Sequence, residues 1–431
     1  ISMAVVVGGT PQSVYIKGQD EPLEVNFPVG VMTLPVEVTS PVTISMLNED
    51  ASGRVRVSNL ITLGDYKSVD NDPTLYYDIK GTGSYSHSTT EACTTLTVTA
   101  GQWLVMQTYQ FHNYASGKSH LPELTFINLA PTAGVVKTVG YFSSAITTPF
   151  NTAYDGIYLQ TNDTAVNFVV NRNGTPTITV PQSAWDDPLD GTGASGKTVN
   201  WANFLPVFFD FLWLGGTRVR LWVLIDGEPI LAHTYKHANN AAFTMIRQPS
   251  QPIRFEIRST TGVGSLKAVC AAVSTEGALS PVGNIRSANN GTAQCDADVA
   301  GTQYAVLGIK LKQANRYDSI DIVDINILSA TNDKFLWELI LNPTVANTFT
   351  YNDITGSSLQ YALGDTPNTV SGGYVIQSGY GTGGSSITLA TENARHLGST
   401  LDGVMDTLVL CVMPFSNNMD VYGSLIWRER R

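Results

Sequence analysis

The stretch FLWLGGTRVRLWVLIDGEPILAH, Phe211 to His233, gathers side chains capable of chemistry inside one of the most apolar runs of the chain. Arg218 and Arg220 stand one residue apart, Asp226-Gly227 marks a turn, and His233 lies four residues before His237. Histidines at that spacing hold zinc when they share a helix face. Here the flanking pattern is that of a strand running into the loop KHANN. At about 3.3 Å per residue the two imidazoles then stand about 13 Å apart, too far for one ion. Neither HExxH nor any CxxC pair is present, so no metal site is expected.

The most acidic loop, WDDPLDGTGASG (185–196), offers Asp186, Asp187 and Asp190. Carboxylates with backbone carbonyls make calcium sites, but the spacing is not that of the D-x-[DN]-x-[DN]-G loop, and acidic Gly-rich turns commonly serve as solvated turns. A glycan or a protein partner is the alternative ligand. Tyr154, Trp185 and Trp201 fall in expected loops, where aromatic faces stack on sugar rings, and Asp187 and Asp190 would supply hydrogen bonds. These five residues are the candidate contact set. The competing reading has the aromatics plugging the ends of a sandwich. For catalysis, GxSxG is absent, and GTGGSS (381–386) lacks the lysine of a phosphate loop. The six histidines have no recurring partner. Two facing carboxylates, all that a glycosidase requires, leave no spacing signature. The expectation is a protein that is not an enzyme and carries no cofactor.

The elements that must position these residues are strands. Period-2 alternation dominates, as in SVYIKG, TTLTVTAG and YAVLGIKLKQ, and NFVV-NRNG-TPTITV carries an Asn-Gly hairpin signal. In RVRLWVLI, Val219, Leu221, Val223 and Ile225 share the core face, leaving Arg218, Arg220, Trp222 and Leu224 on a half-wet one. Only ATENARHL (390–397) and SLKAVCAAV (265–273) fit a helical period, and the second suits a buried strand equally. Among 431 residues 43% are hydrophobic and 14% charged, against about 25% charged in a typical soluble chain. Such a chain suits lasting subunit contacts, where few charges need desolvating. The net charge of −11 without any Lys/Arg run excludes a nucleic-acid footprint. The longest apolar run (204–214) is broken by Pro206 and Asp210 and is too short to cross a membrane, and ISMAVVV is not a signal peptide. Cys93, Cys270, Cys295 and Cys411 are expected as buried free thiols.

Four segments follow. Residues 1–50, punctuated by Pro11, Pro22, Pro28, Pro35 and Pro41, read as an extended anchoring arm. Residues 51–280 hold the main sandwich, 281–303 a polar linker, and 304–431 a second β-sandwich.

Particular residues then carry a resemblance. ASGRVRVSNLITLGDYK (51–67), QFHNYASGKSH (110–120), Asp155-Gly156, Trp185 to Gly196, FDFLWLGGTRVRLWVLIDGEPILAHTYKHAN, PIRFEI (252–257) and SLIWRE (424–429) appear in the order of a family of virion structural proteins. Its members occur in tailed bacteriophages, marine and cyanobacterial ones especially, and in some giant viruses. Ala115 stands where that family has proline and His120 where it has glutamine, and AVSTEG (272–277) is looser than its usual form. The resemblance implies an all-β virion component with a lectin-like or laminin-G-like jelly roll. It would act by assembly and binding on the particle exterior, as head decoration, head fibre or collar. Its partners would be capsid or tail subunits and its own copies, a trimer by analogy with virus fibres. A receptor- or carbohydrate-binding tail fibre recognising a host surface glycan is the alternative.

Overall fold

A computed structural model describes residues 50–51, 59–69, 72–277, 283–331, 333–347, 349–364, 368–383, 387–390 and 397–430. The arm expected over 1–50 therefore lies outside the described residues except for Asp50, as does most of the helix expected over 390–397. The fold is all-β. The helical turns among the described residues are single 3-10 turns at Pro73–Leu75, Gln182–Ala184 and Gln313–Asn315.

The first unit is a jelly-roll sandwich. Its strands are β1 (Leu60–Lys67), β2 (Tyr77–Gly81), β3 (Ser84–Ser88), β4 (Cys93–Val98), β5 (Trp103–Thr108), β6 (His120–Ile127), β7 (Val135–Ser144) and β8 (Ala153–Thr161). They continue as β9 (Val166–Arg172), β10 (Thr175–Pro181), β11 (Phe204–Leu212), β12 (Arg218–Ile225), β13 (Glu228–Lys236), β14 (Ile253–Ser259) and β15 (Gly264–Glu276). One sheet runs β13-β12-β11-β6-β15-β4-β3, with β1 also on β15; the other runs β10-β9-β8-β7-β14-β5-β2. Alternation turns Leu124, Phe126, Phe209 and Leu221 of the first sheet against Leu159, Phe168, Val170 and Phe255 of the second, all buried in one core.

The strand Arg218–Ile225 has the expected core face: Val219, Leu221 and Val223 are fully buried. Asp226 and Gly227 both take positive φ, 54° and 79°, the tight hairpin geometry that Asp-Gly favours. The opposite face corrects the expectation. Arg220 and Trp222 are only 2% and 4% exposed. Arg220 pairs with the buried Asp210 and lies over the Trp222 ring, 5.7 Å from its centroid. Beside them Arg218 donates to the carbonyl of Ala51, so the chain entering the unit lies on this face. SLKAVCAAV is strand throughout, within β15.

The second unit is a smaller sandwich. Its strands are β16 (Asn284–Asn289), β17 (Cys295–Ala297), β18 (Tyr304–Leu311), β19 (Ser319–Ser329), β20 (Lys334–Leu341), β21 (Thr344–Val345) and β22 (Asn352–Asp353). After them come β23 (Leu359–Leu363), β24 (Val370–Ser371), β25 (Tyr374–Thr382), β26 (Ile387–Ala390), β27 (Thr407–Pro414) and β28 (Met419–Arg430). The sheet β16-β28-β19-β26, with β17 on β28, faces the sheet β22-β23-β18-β27-β20-β25 across a core containing Trp337 and Trp427. Within the linker expected over 281–303, β16 and β17 pair with β28, so part of the segment belongs to the second sandwich. All four cysteines are free thiols, three buried and Cys270 half-buried.

Candidate functional site

The loop from Gln182 to Trp201 is built inward. Trp185 and Trp201 are 4% and 7% exposed and pack edge-to-face, ring centroids 6.1 Å apart. The Trp185 indole donates to the Val180 carbonyl at 3.0 Å, and the Trp201 indole to Gln182 Oε1 at 2.8 Å. Both rings belong to the core, so the expectation that they stack on a ligand is corrected: they plug the end of the sandwich. Asp187 is buried and accepts from the backbone N–H of Leu189 and Ser195 at 3.1 and 2.7 Å. A Cβ on Gly193 would stand 2.0 Å from Asp187 Oδ1, which is why glycine occupies that position. Asp190 is exposed and caps its own turn, accepting from the N–H and hydroxyl of Thr192, bonds that hold its carboxyl below the usual range. Asp186 reaches instead to the N–H of Thr234 at 2.7 Å and to His233 Nδ1 at 3.4 Å. The three carboxylates thus serve three different anchor points.

The histidines of the opening stretch are equally committed. His233 lies edge-on to Phe168, and burial lowers its pKa. His237 pairs Nδ1 with the Tyr235 hydroxyl at 2.8 Å and Nε2 with the Phe243 carbonyl. Tyr154 is half-buried on the other sheet, covered by the Arg247 guanidinium at 4.5 Å, and Arg247 also meets the buried Asp155. The five candidate residues therefore form no common surface: Trp185, Asp187, Asp190 and Trp201 shape one loop, and Tyr154 stands apart from it with Arg247.

Open space lies elsewhere, between the two units. Leu401, carried on the loop Leu397–Thr407 of the second unit, buries itself against Trp103, Val105 and Phe150 of the first. Its N–H donates to Asp78 at 2.7 Å, across 323 residues of chain, and Lys80 joins Asp78 to Asp402. The Phe150 seat is held by PIRFEI and the arginine that follows it: Arg254 and Arg258, tied together through Glu256, donate to the carbonyls of Phe150 and Pro149. Alongside, the N–H of Ser399 donates to the Tyr109 carbonyl at 2.9 Å. That approach requires Gly398, whose Cβ would lie 2.5 Å from the same oxygen. A second contact joins Phe111 to Tyr317, ring centroids 5.1 Å apart, and Asn113 to Ser319 at 3.1 Å.

Tyr109 and Thr400, beside the first of these contacts, also line a cleft of about 780 Å³. Its walls come from Leu63–Tyr66, Thr74–Tyr76 and Tyr109–Gln110 of the first unit, and from Leu341–Pro343, Tyr374, Thr400 and Val404–Thr407 of the second. Among the described residues no lysine, arginine, histidine or cysteine lines it. Of its carboxylates, Asp65 is paired with Lys67 at 2.7 Å, while Asp406 accepts from the Gly398 N–H at 2.8 Å and from Asn342 at 2.7 Å. Burial, with Asp78 and Asp406 nearby, pushes the Tyr109 phenol up to about 12, so it remains a neutral donor. Sequence reasoning missed this cleft; its one legible trace is the pair Tyr76 and Tyr109, bracketing strands that the alternation finds.

No family model and no curated protein matches the chain. Among solved structures, it is similar to the carbohydrate esterase of Shiga toxin-encoding bacteriophage phi24B, at 15% identity and a TM-score of 0.32, over 51% of this chain and 100% of that one. The legume lectin-like domain of Entamoeba histolytica gives 11% and 0.32, over 50% and 98%. The β-glucanase of Bacillus licheniformis gives 15% and 0.30, over 52% and 100%.

Proposed function

We propose that this chain is a structural component of a virus particle, on the exterior of a tailed-phage virion, acting by assembly and binding rather than by catalysis. The observation that carries the reading is the fate of its most specific motif. From Trp185 to Gly196 the tryptophan is pinned to the Val180 carbonyl and to Trp201, and the buried Asp187 ties Leu189 and Ser195 over Gly193, so this motif is a device for building a sandwich. The PIRFEI motif likewise buttresses one unit against the other. Two units fastened through buried side chains make a stiff body suited to permanent display. Its partners in this reading are capsid or tail subunits and further copies of itself, with a homotrimer as the expected assembly.

The second reading, a receptor- or carbohydrate-binding tail protein, draws on the tyrosine-walled cleft, whose described lining includes no cationic side chain. Deletion of residues 1–45 tests the first. The truncated chain is expected to fold but to be lost from particles, as immunogold labelling and particle sedimentation would register. Normal incorporation of the truncated chain would end the anchor idea, and absence of the full-length chain from particles would end the virion reading.

A further inference from the structure

Resting on the reading of this chain as a binding component, we infer that the cleft between the two units is a binding site for a neutral polyhydroxylated ligand, a short oligosaccharide of uncharged sugars. Three features select that class. The first is size: about 780 Å³ falls inside the roughly 300–1,000 Å³ range of small-molecule sites.

The second is the character of the walls. Tyr76 and Tyr109 of the first unit and Tyr374 of the second bring phenol rings to the cleft from both sides. Tyrosine offers an apolar face with a hydroxyl at its tip, which suits a ligand whose C–H faces alternate with hydroxyl rims. Tyr374 is 62% exposed, and Leu75 and Val404 are exposed beside it, apolar surface that a stacked ligand would cover.

The third is charge. Phosphate, sulfate and carboxylate ligands are gripped by arginine, lysine or backbone N–H clusters, and the described lining residues include no cationic side chain. Its carboxylates are already engaged by Lys67, Asn342 and the Gly398 N–H. Besides these two carboxylates the polar groups of the described lining are uncharged: tyrosine and threonine hydroxyls, and the Gln110 amide, which already meets the Tyr66 hydroxyl and the Leu63 carbonyl. The walls are also fixed in advance. Leu401 in its seat and the Ser399–Tyr109 bond hold the two units at one spacing, so little ordering cost falls on ligand entry.

The experiment uses the full chain on an array of neutral and acidic glycans, followed by titration calorimetry with the best neutral oligosaccharide. Binding to a neutral glycan is expected, with Tyr374→Ala weakening it roughly 10-fold or more, as loss of an aromatic anchor does. Tyr380→Ala should leave it unchanged, because Tyr380 is 75% exposed on the same strand but outside the cleft. A uronic-acid or sulfated analogue should bind more weakly than its neutral parent. Silence across the neutral glycans, preference for the acidic ones, or equal loss in both tyrosine variants overturns the inference. Particle incorporation of the wild-type chain is scored in parallel: normal incorporation with no glycan binding by that same chain overturns the cleft assignment alone, whereas its absence from particles strikes the virion reading and leaves the cleft standing.

Discussion

The imidazole of His120 packs against the ring of Tyr141 with centroids 5.3 Å apart, and neither of its nitrogens meets a hydrogen-bond partner among the described residues. Phe211 and Tyr114 close the cage on other sides. Burial, with His112 nearby, lowers its pKa from 6.5 to about 3. Between those values the unfolded chain takes up a proton that the folded chain refuses. Stability should therefore be unaffected above pH 6.5 and fall by up to ~1.4 kcal/mol per pH unit as the pH drops below it. His120→Phe fills the same aromatic cage without a stranded N–H. It is expected to raise the melting temperature at pH 5 and to flatten the acid limb of a stability–pH profile; an unchanged limb would assign the acid sensitivity to other groups.

Leu221 is fully buried opposite Phe209, in the centre of the first core. Leu221→Ala should cost about 2–5 kcal/mol, as large-to-small changes in packed cores do. A denaturant titration showing a loss below ~1 kcal/mol would contradict the packing described for β12.

Asp187 satisfies two backbone donors from inside its loop. Asp187→Ala strands both and is expected to cost ~1–3 kcal/mol, with Asp187→Asn recovering part of that because an amide oxygen still accepts. Since Asp186, Asp187 and Asp190 engage separate donors, EDTA should leave the melting temperature of the wild-type chain unchanged. A large drop in chelator would instead reveal a metal bound to the native state.

Leu401 fastens the second unit to the first. Leu401→Asp places a carboxylate against Trp103 and Phe150, where desolvation costs several kcal/mol unless the contact opens. The expected outcome by calorimetry is two separate thermal transitions, one for each sandwich, in place of a coupled one. A single transition at the wild-type temperature would show that the units are held together elsewhere, through Phe111 and Tyr317.

The alternation in RVRLWVLI was enough to find the core face of β12, because a strand with one side in the core repeats every two residues. Its other face was misread as half-wet, because nothing local signals that Asp210 and the Ala51 carbonyl come to meet the arginines. The polar strands β16 and β17 were illegible for a related reason. They have few apolar residues of their own and are specified by their pairing with β28, at the far end of the unit. The tryptophans at 185 and 201 sit in irregular backbone, where sequence marks a loop but not which way its side chains turn. The cleft depends on Leu401 meeting Phe150 and Tyr374 approaching Tyr109, contacts between chain segments that share no local pattern.

In each unit the opening strands pair with the last: β1 lies along β15, and β16 and β17 lie along β28. Each sheet therefore stays open until its final strand has found its first, and the entropy of closing that long loop must be met before the pairing rewards it. Domains dominated by such non-local pairings fold slowly, on the millisecond-to-second scale, with strand edges exposed meanwhile. The same closure brings the ends of the first unit together, since the N–H of Gly277 donates to the Asn59 carbonyl at 3.0 Å. A body whose entry and exit points touch joins to further chain at one place on its surface, with Asp50 and Ala51, buried beside Arg218, belonging to the body itself.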